Sequence, residues 1–202
     1  TVQDLIGAAA QNPGKIKIAN SGKGKLWHLK ASILERSANV KFMHVPYNGS
    51  NPAIISVLSG ETDAVSAALG EVSEHVRAGK LKVLVITEDT PVKDQAYAKV
   101  PLLTDLYPES AKYFPLRQWL GFAVPKDTPA AIIGILEDAF KKVMNDPETD
   151  KFMDQQYMEK LALYGQEANK FAIGMEVNIS WISHLLGVST VDPATLNMPK
   201  PA

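Results

Sequence analysis

The sequence predicts an α/β fold, a doubly wound parallel sheet followed by a block of helices, on two observations. Short apolar runs alternate with helical periodicities through the first two thirds of the 202 residues, as strands joined by crossover helices require. The remainder carries helix-start signals and one long amphipathic pattern. Asp4 to Gln11 reads as a short helix stopped by Asn12-Pro13-Gly14, and Lys15 to Ala19 as the first strand. Lys25 to Ser37 repeats apolar residues at Leu26, Leu29, Ile33 and Leu34, a helical spacing. Phe42 to Val45 is the second strand, closed by the turn formers Pro46 to Pro52; Ala53 to Leu58 is a helix ended by Gly60. Ala64 to Ala67 is a short strand, Glu71 to Ala78 a helix with Gly79 after it, and Lys82 to Thr87 the most β-branched strand of all. Prolines 91, 101, 108 and 115 break the next stretch into loop and a short helix around Leu102 to Tyr107. Trp119 to Val124 reads as a further strand. Thr128 as N-cap with Pro129 opens a helix to about Asn145, Asp146-Pro147-Glu148 opens another, and Glu167 to Leu186 is amphipathic. The proline-bearing tail is expected to be irregular. The domain reading is a lobe at 1–120, a return strand and helices at 121–190, and a tail at 191–202.

Composition narrows the function classes. With 46% hydrophobic and 21% charged residues the chain is a globular protein, and 21 Lys+Arg against 22 Asp+Glu leave a formal charge of -1, so no global basic field recruits nucleic acid or an anionic membrane. Zero cysteines remove disulfides, thiolate nucleophiles and Cys-metal sites together. No apolar run approaches the roughly 18 residues of a membrane span, and the first residues have neither the basic nor the apolar region of a signal peptide.

Chemistry concentrates in Ile18 to Leu29, where a strand, a Gly-rich turn and a helix start follow one another. Such a junction is an anion cradle, because free N–H groups and the helix dipole face outward and glycines let a ligand oxygen approach the backbone. Ser21, Gly22, Lys23, Gly24 and Lys25 are therefore candidate ligand-binding residues. Ser21 is read either as helix cap or as hydroxyl donor to a carboxylate, and the alternative for the whole loop is a tight turn with solvated lysines. Leu26 stands where a Walker A loop needs Ser or Thr, and Trp27 replaces the third glycine of a dinucleotide fingerprint. His28, one turn into the helix, is positioned to touch an anion or to pack. Val45 to Ser50 and Asp63 to Gly70 bring two more loops to the same sheet edge, adding Tyr47, Ser66 and Ala67. No HExxH pattern and no nucleophile elbow occurs. Glu71 and His75 share a helix face without a third ligand, so a surface pair is favoured over a metal site and neither metal nor cofactor is expected.

In order, Asp4-Leu5-Ile6 through Asn12-Pro13-Gly14-Lys15, Ser21-Gly22-Lys23-Gly24 with His28-Leu29, His44-Val45-Pro46-Tyr47-Asn48-Gly49 with Pro52-Ala53, Leu58 to Asp63, His75 to Lys82 and Gly121 to Pro129 resemble the TctC or Bug family, the extracytoplasmic receptors of tripartite tricarboxylate transporters. The resemblance implies a periplasmic-binding-protein-like lobe followed by C-terminal helices that return toward a first lobe. It implies a receptor without catalytic chemistry, which captures a small organic acid for membrane transporter subunits in the periplasm. It also implies an incomplete chain lacking the start of lobe one, whose stripe at Phe171, Met175, Ile179, Ile182 and Leu186 is expected to mediate self-association. Lys23, Lys25 and Trp27 depart from the small or polar residues usual there, pointing to a more highly charged ligand or to solvent-facing lysines. The alternatives are an effector-binding domain of a transcription regulator and a hydrolase using His28 and Ser21.

Overall fold

The computed structural model describes residues 1–201, which divide into two units: Thr1–Arg117 together with the chain from Val177 on, and Gln118–Glu176. The first unit opens with α1 (Val2–Gln11), capped at Thr1 by a capping box with Asp4. Strands β1 (Lys17–Asn20), β2 (Met43–Pro46) and β3 (Ala64–Val65) form a parallel sheet in the order β2-β1-β3. Ile18 pairs with His44 on one side and with Ala64 on the other. The crossovers are α2 (Leu26–Ser37) and α3 (Ser50–Leu58). The chain moves outward from β1 to β2 and then back across to β3, so two right-handed crossovers place α2 and α3 on opposite faces. Side chains alternate along β1. Ile18 accordingly joins Leu29, Ile33 and Leu34 of α2, with Val2 and Ala9 of α1, in one hydrophobic core.

After α4 (Leu69–Arg77) the expected strand Lys82 to Thr87 is not a ladder strand. Its extended backbone instead pairs at Ile86 with Pro101 to Leu103, just before and at the start of α5 (Leu103–Leu106), with Ile86 N donating to Pro101 O and Leu103 N to Ile86 O, both at 2.9 Å. Leu84 and Val85 still pack on the core. Side chains decided its burial, and the available partner decided its hydrogen bonds. From α8 (Gly165–Leu185) onward, Ile179, Ile182 and Leu186 lie against that same core, so this part of the apolar stripe has its partner within the chain. The tail holds a 3-10 turn at Pro193–Leu196, and the Trp181 indole donates to Pro199 O at 2.9 Å. It is less irregular than its prolines suggested.

The second unit is helical. Trp119 to Val124 forms no strand, since no second strand stands beside it among the described residues of that unit; backbone pairing requires a neighbour, whatever the β-propensity. Helix α6 (Ala130–Met144) starts one residue later than expected, with Pro129 rather than Thr128 at the cap and no side-chain cap bond. The proline ring already holds φ at -56° while ψ of 137° keeps the residue extended. Helix α7 (Pro147–Gln155) begins as its sequence indicates, Asp146 accepting from Glu148 N at 2.9 Å. Edge-to-face rings, Phe122 on Phe140 and Phe140 on Tyr164, link the loop before α6 and the residue before α8 to α6.

Candidate functional site

Three loops leave the sheet at its carboxyl edge. Their starts are bonded to one another: Tyr47 N donates to Asn20 O at 2.9 Å, Gly49 N to Ser21 O at 3.3 Å, and Ser66 N to Ala19 O at 2.9 Å. Because the chain reverses its lateral direction about β1, this edge is a topological switch point, where open α/β sheets place their ligand crevices. The Ser21 to Lys25 loop runs from β1 into α2 between the other two.

The loop is folded upon itself more than the sequence indicated. Gly22 N donates to Asn20 Oδ1, Lys25 N to Gly22 O and Gly24 N to His28 Nδ1, each at 3.1 Å. Three of the N–H groups expected to face an anion thus hold the turn together. Gly22 at φ +137° and Gly24 at φ +77° occupy backbone conformations that side chains rarely tolerate, and a Cβ on Gly22 would stand 3.1 Å from the Lys25 side chain. The cap of α2 is Lys25 in extended conformation, with no side-chain cap bond; Ser21 is not the cap. Outward donors of the junction are therefore the first-turn N–H groups of Leu26, Trp27 and His28, which helix geometry leaves without intrahelical acceptors.

Of the other expected site residues, Lys23 and Lys25 are exposed, and Tyr47, Ser66 and Ala67 are half-buried, as are Ser21 and Gly22. The Tyr47 hydroxyl donates to Glu61 Oε1 at 3.0 Å. Trp27 is buried with the Lys30 ammonium 5.2 Å from its ring, so it is a packing residue rather than an open aromatic wall. His28 is only 8% exposed. Its Nδ1 turns to Gly24 rather than to Ser21, so the nucleophile–base pair of the hydrolase reading is not formed. Its ring meets that of His44 edge-on at 4.8 Å, and His44 Nε2 lies 3.2 Å from Glu35 Oε2, which also accepts from Phe42 N at 2.7 Å. Burial first, then the neighbouring His44 and Lys23, pushes the His28 pKa below the ordinary histidine value. Glu71 accepts from Ala68 N at 3.1 Å and so caps α4. Among the described residues no cluster of three metal-ligating side chains occurs, and no helix is long and apolar enough to cross a membrane.

Two further residues come from the structure. Asn20, the last residue of β1, is 0% exposed; its Oδ1 is occupied by Gly22 N, while its Nδ2 is buried without a hydrogen-bond partner among the described residues. Alternation puts it on the same face as Ile18, beneath the start of α2. An amide ending an apolar run is the sequence signal that could have singled it out, because a buried unmatched donor costs about 1–3 kcal/mol. Lys30, fully buried one turn into α2, donates to Thr87 O at 3.0 Å and pairs with Glu88. The pair ties the end of the extended segment 82–87 to α2. Burial raises the Glu88 pKa.

The sequence matches the tripartite tricarboxylate transporter family receptor, TctC, over residues 1–181. The chain belongs to this receptor family. The UPF0065 protein in the gbd 5′ region of Cupriavidus necator is 29% identical over 172 residues, covering 85% of this chain and 50% of the relative. A TctC solute-binding protein from Polaromonas, solved without ligand, is 29% identical, with a TM-score of 0.60 over 93% of this chain and 61% of the other. An R. palustris protein solved with adipate shares the fold at 18% identity, with a TM-score of 0.71 over 93% of this chain and 61% of the other. The chain spans about half the length of the curated relatives it matches. TctC membership accounts for the parallel α/β lobe and for loops gathered at one sheet edge. The family is one of transporter receptors, and the Polaromonas relative is a solute-binding protein.

Proposed function

We propose that this chain forms part of a periplasmic receptor that captures a small organic acid through the β1–α2 junction and delivers it to membrane subunits of a tripartite transporter. The observation that carries the reading is the α2 start itself: a helix N-terminus without a side-chain cap, at the switch point of the sheet, above the unmatched amide donor of Asn20. Helix dipole, first-turn N–H groups and that amide all favour a carboxylate there. Ser21, Gly22, Ser66 and Ala67 line the approach, and exposed Lys23 and Lys25 add a salt-screened attraction at its rim. We read the second unit as belonging in part to the other lobe of the receptor, in keeping with its uncovered apolar side chains.

The test is calorimetry with adipate, succinate and citrate on the parent protein and on Gly22→Val. The valine would impose a rarely tolerated φ and crowd Lys25, so carboxylate affinity should fall about tenfold or more while the far-ultraviolet dichroism is kept. A well-folded variant with unchanged affinity would remove the glycine loop from the binding site.

A further inference from the structure

We infer that His28 is a positioning residue for the ligand loop, holding Gly24 in place only while its Nδ1 is unprotonated, and that ligand capture is thereby coupled to proton concentration. The inference deepens the receptor reading and rests on it for the role of the loop. Three hydrogen bonds staple the turn, from Gly22 N to Asn20 Oδ1, from Lys25 N to Gly22 O and from Gly24 N to His28 Nδ1. Only the third has an acceptor that titrates near neutrality. To accept from Gly24, Nδ1 must present its lone pair; an imidazolium carries N–H at both nitrogens, so donor would meet donor. With His28 8% exposed, water has little room to mediate.

The groups acting on the ring come from each neighbouring element. His44 of β2 packs edge-on, Lys23 belongs to the loop, and Glu35 lies two turns further along α2. His44 and Lys23 oppose a proton on His28, and Glu35 favours one, but Glu35 Oε2 is already engaged by Phe42 N and His44. The balance keeps the ring neutral at pH 7 and lets it protonate only below the ordinary histidine value. The sign follows: the Gly24 bond is intact at and above neutrality and is lost as pH falls through the depressed pKa. Release of Gly24 frees the residue just before the α2 cap, so the first-turn donors lose their fixed aim.

The experiment follows the Gly24 amide by NMR across a pH titration, with His28→Asn as the comparison. The asparagine Oδ1 takes the place of Nδ1 as acceptor and does not titrate. In the parent, the Gly24 amide shift should move with the His28 ring titration, and adipate affinity should fall about tenfold over the same range, the size of one lost hydrogen bond. In His28→Asn both should be flat. A Gly24 amide indifferent to His28 protonation, or an asparagine variant with the parent's pH profile, overturns the inference. If Gly24 tracks His28 while adipate, succinate and citrate bind at no pH, the positioning role stands and the receptor reading falls. If adipate binds with no pH dependence and Gly24 does not track, the reading stands and the inference falls.

Discussion

Helices α2 and α6 are both legible from their apolar spacing, yet they end in opposite circumstances. Helix α2 buries seven of its twelve residues, Lys30 among them, against the sheet and its neighbours. Helix α6 buries only Met144 of its fifteen residues, leaving Ile135 70% exposed, and in the same unit Phe122 is 91% exposed. Amphipathic spacing and start signals act within one segment and suffice to form a helix. Burial needs a second surface. The first unit supplies one through three strands and α1; the second rests on caps, ring contacts and surface pairs such as Lys160 with Asp150, which contribute little each.

The contrast is broken most directly by two truncations. Leu29→Ala, at a fully buried position in α2, should cost about 3 kcal/mol in urea unfolding. Ile135→Ala, at an exposed position in α6, should change stability by less than about 0.5 kcal/mol. Equal costs would mean that the second unit is covered in solution. Next in size, Lys30→Met should destabilise by about 2 kcal/mol at neutral pH, because it leaves the Glu88 carboxylate half-buried and unpaired. Without Lys30 the native state prefers Glu88 protonated, so it binds more protons than the unfolded chain and the deficit should shrink as pH falls. Unfolding at pH 5 and pH 7.5 checks the sign. A smaller effect than that of Lys30→Met sharpens the picture of the second unit. Asp146→Ala removes the cap of α7, a helix with no buried residue, and should cost about 1 kcal/mol of helix stability by dichroism. A null result would show that something other than the cap holds that helix.

The candidate site is legible in the residues as a strand, a loop with two glycines and two lysines, and a helix start, and the structure has that order, with Ser66 N donating to Ala19 O and Gly49 N to Ser21 O at the same sheet edge. The same reading assigned the loop's N–H groups outward, whereas Asn20, Gly22 and His28 accept three of them. For His28 the residue type leaves contact with an anion and packing both open, and the structure adds the bond that its Nδ1 accepts from Gly24 N. A hydrogen-bond acceptor cannot be read from residue type alone, since it depends on which side chain the fold brings within 3.1 Å.

The sequence by itself determined where the chain turns, which segments are helical, and to which family it belongs. The long amphipathic helix expected at Glu167 to Leu186 is found at Gly165–Leu185, because spacing, caps and prolines act over a few residues and need no distant partner. Tertiary structure alone decided that Lys82 to Thr87 and Trp119 to Val124 are not ladder strands, that the Nδ2 of Asn20 is an unmatched donor, and that Lys30 is buried against Glu88. Each of these depends on a second segment far away in sequence, and a strand, an orphan donor or a buried ion pair exists only in relation to what is packed beside it.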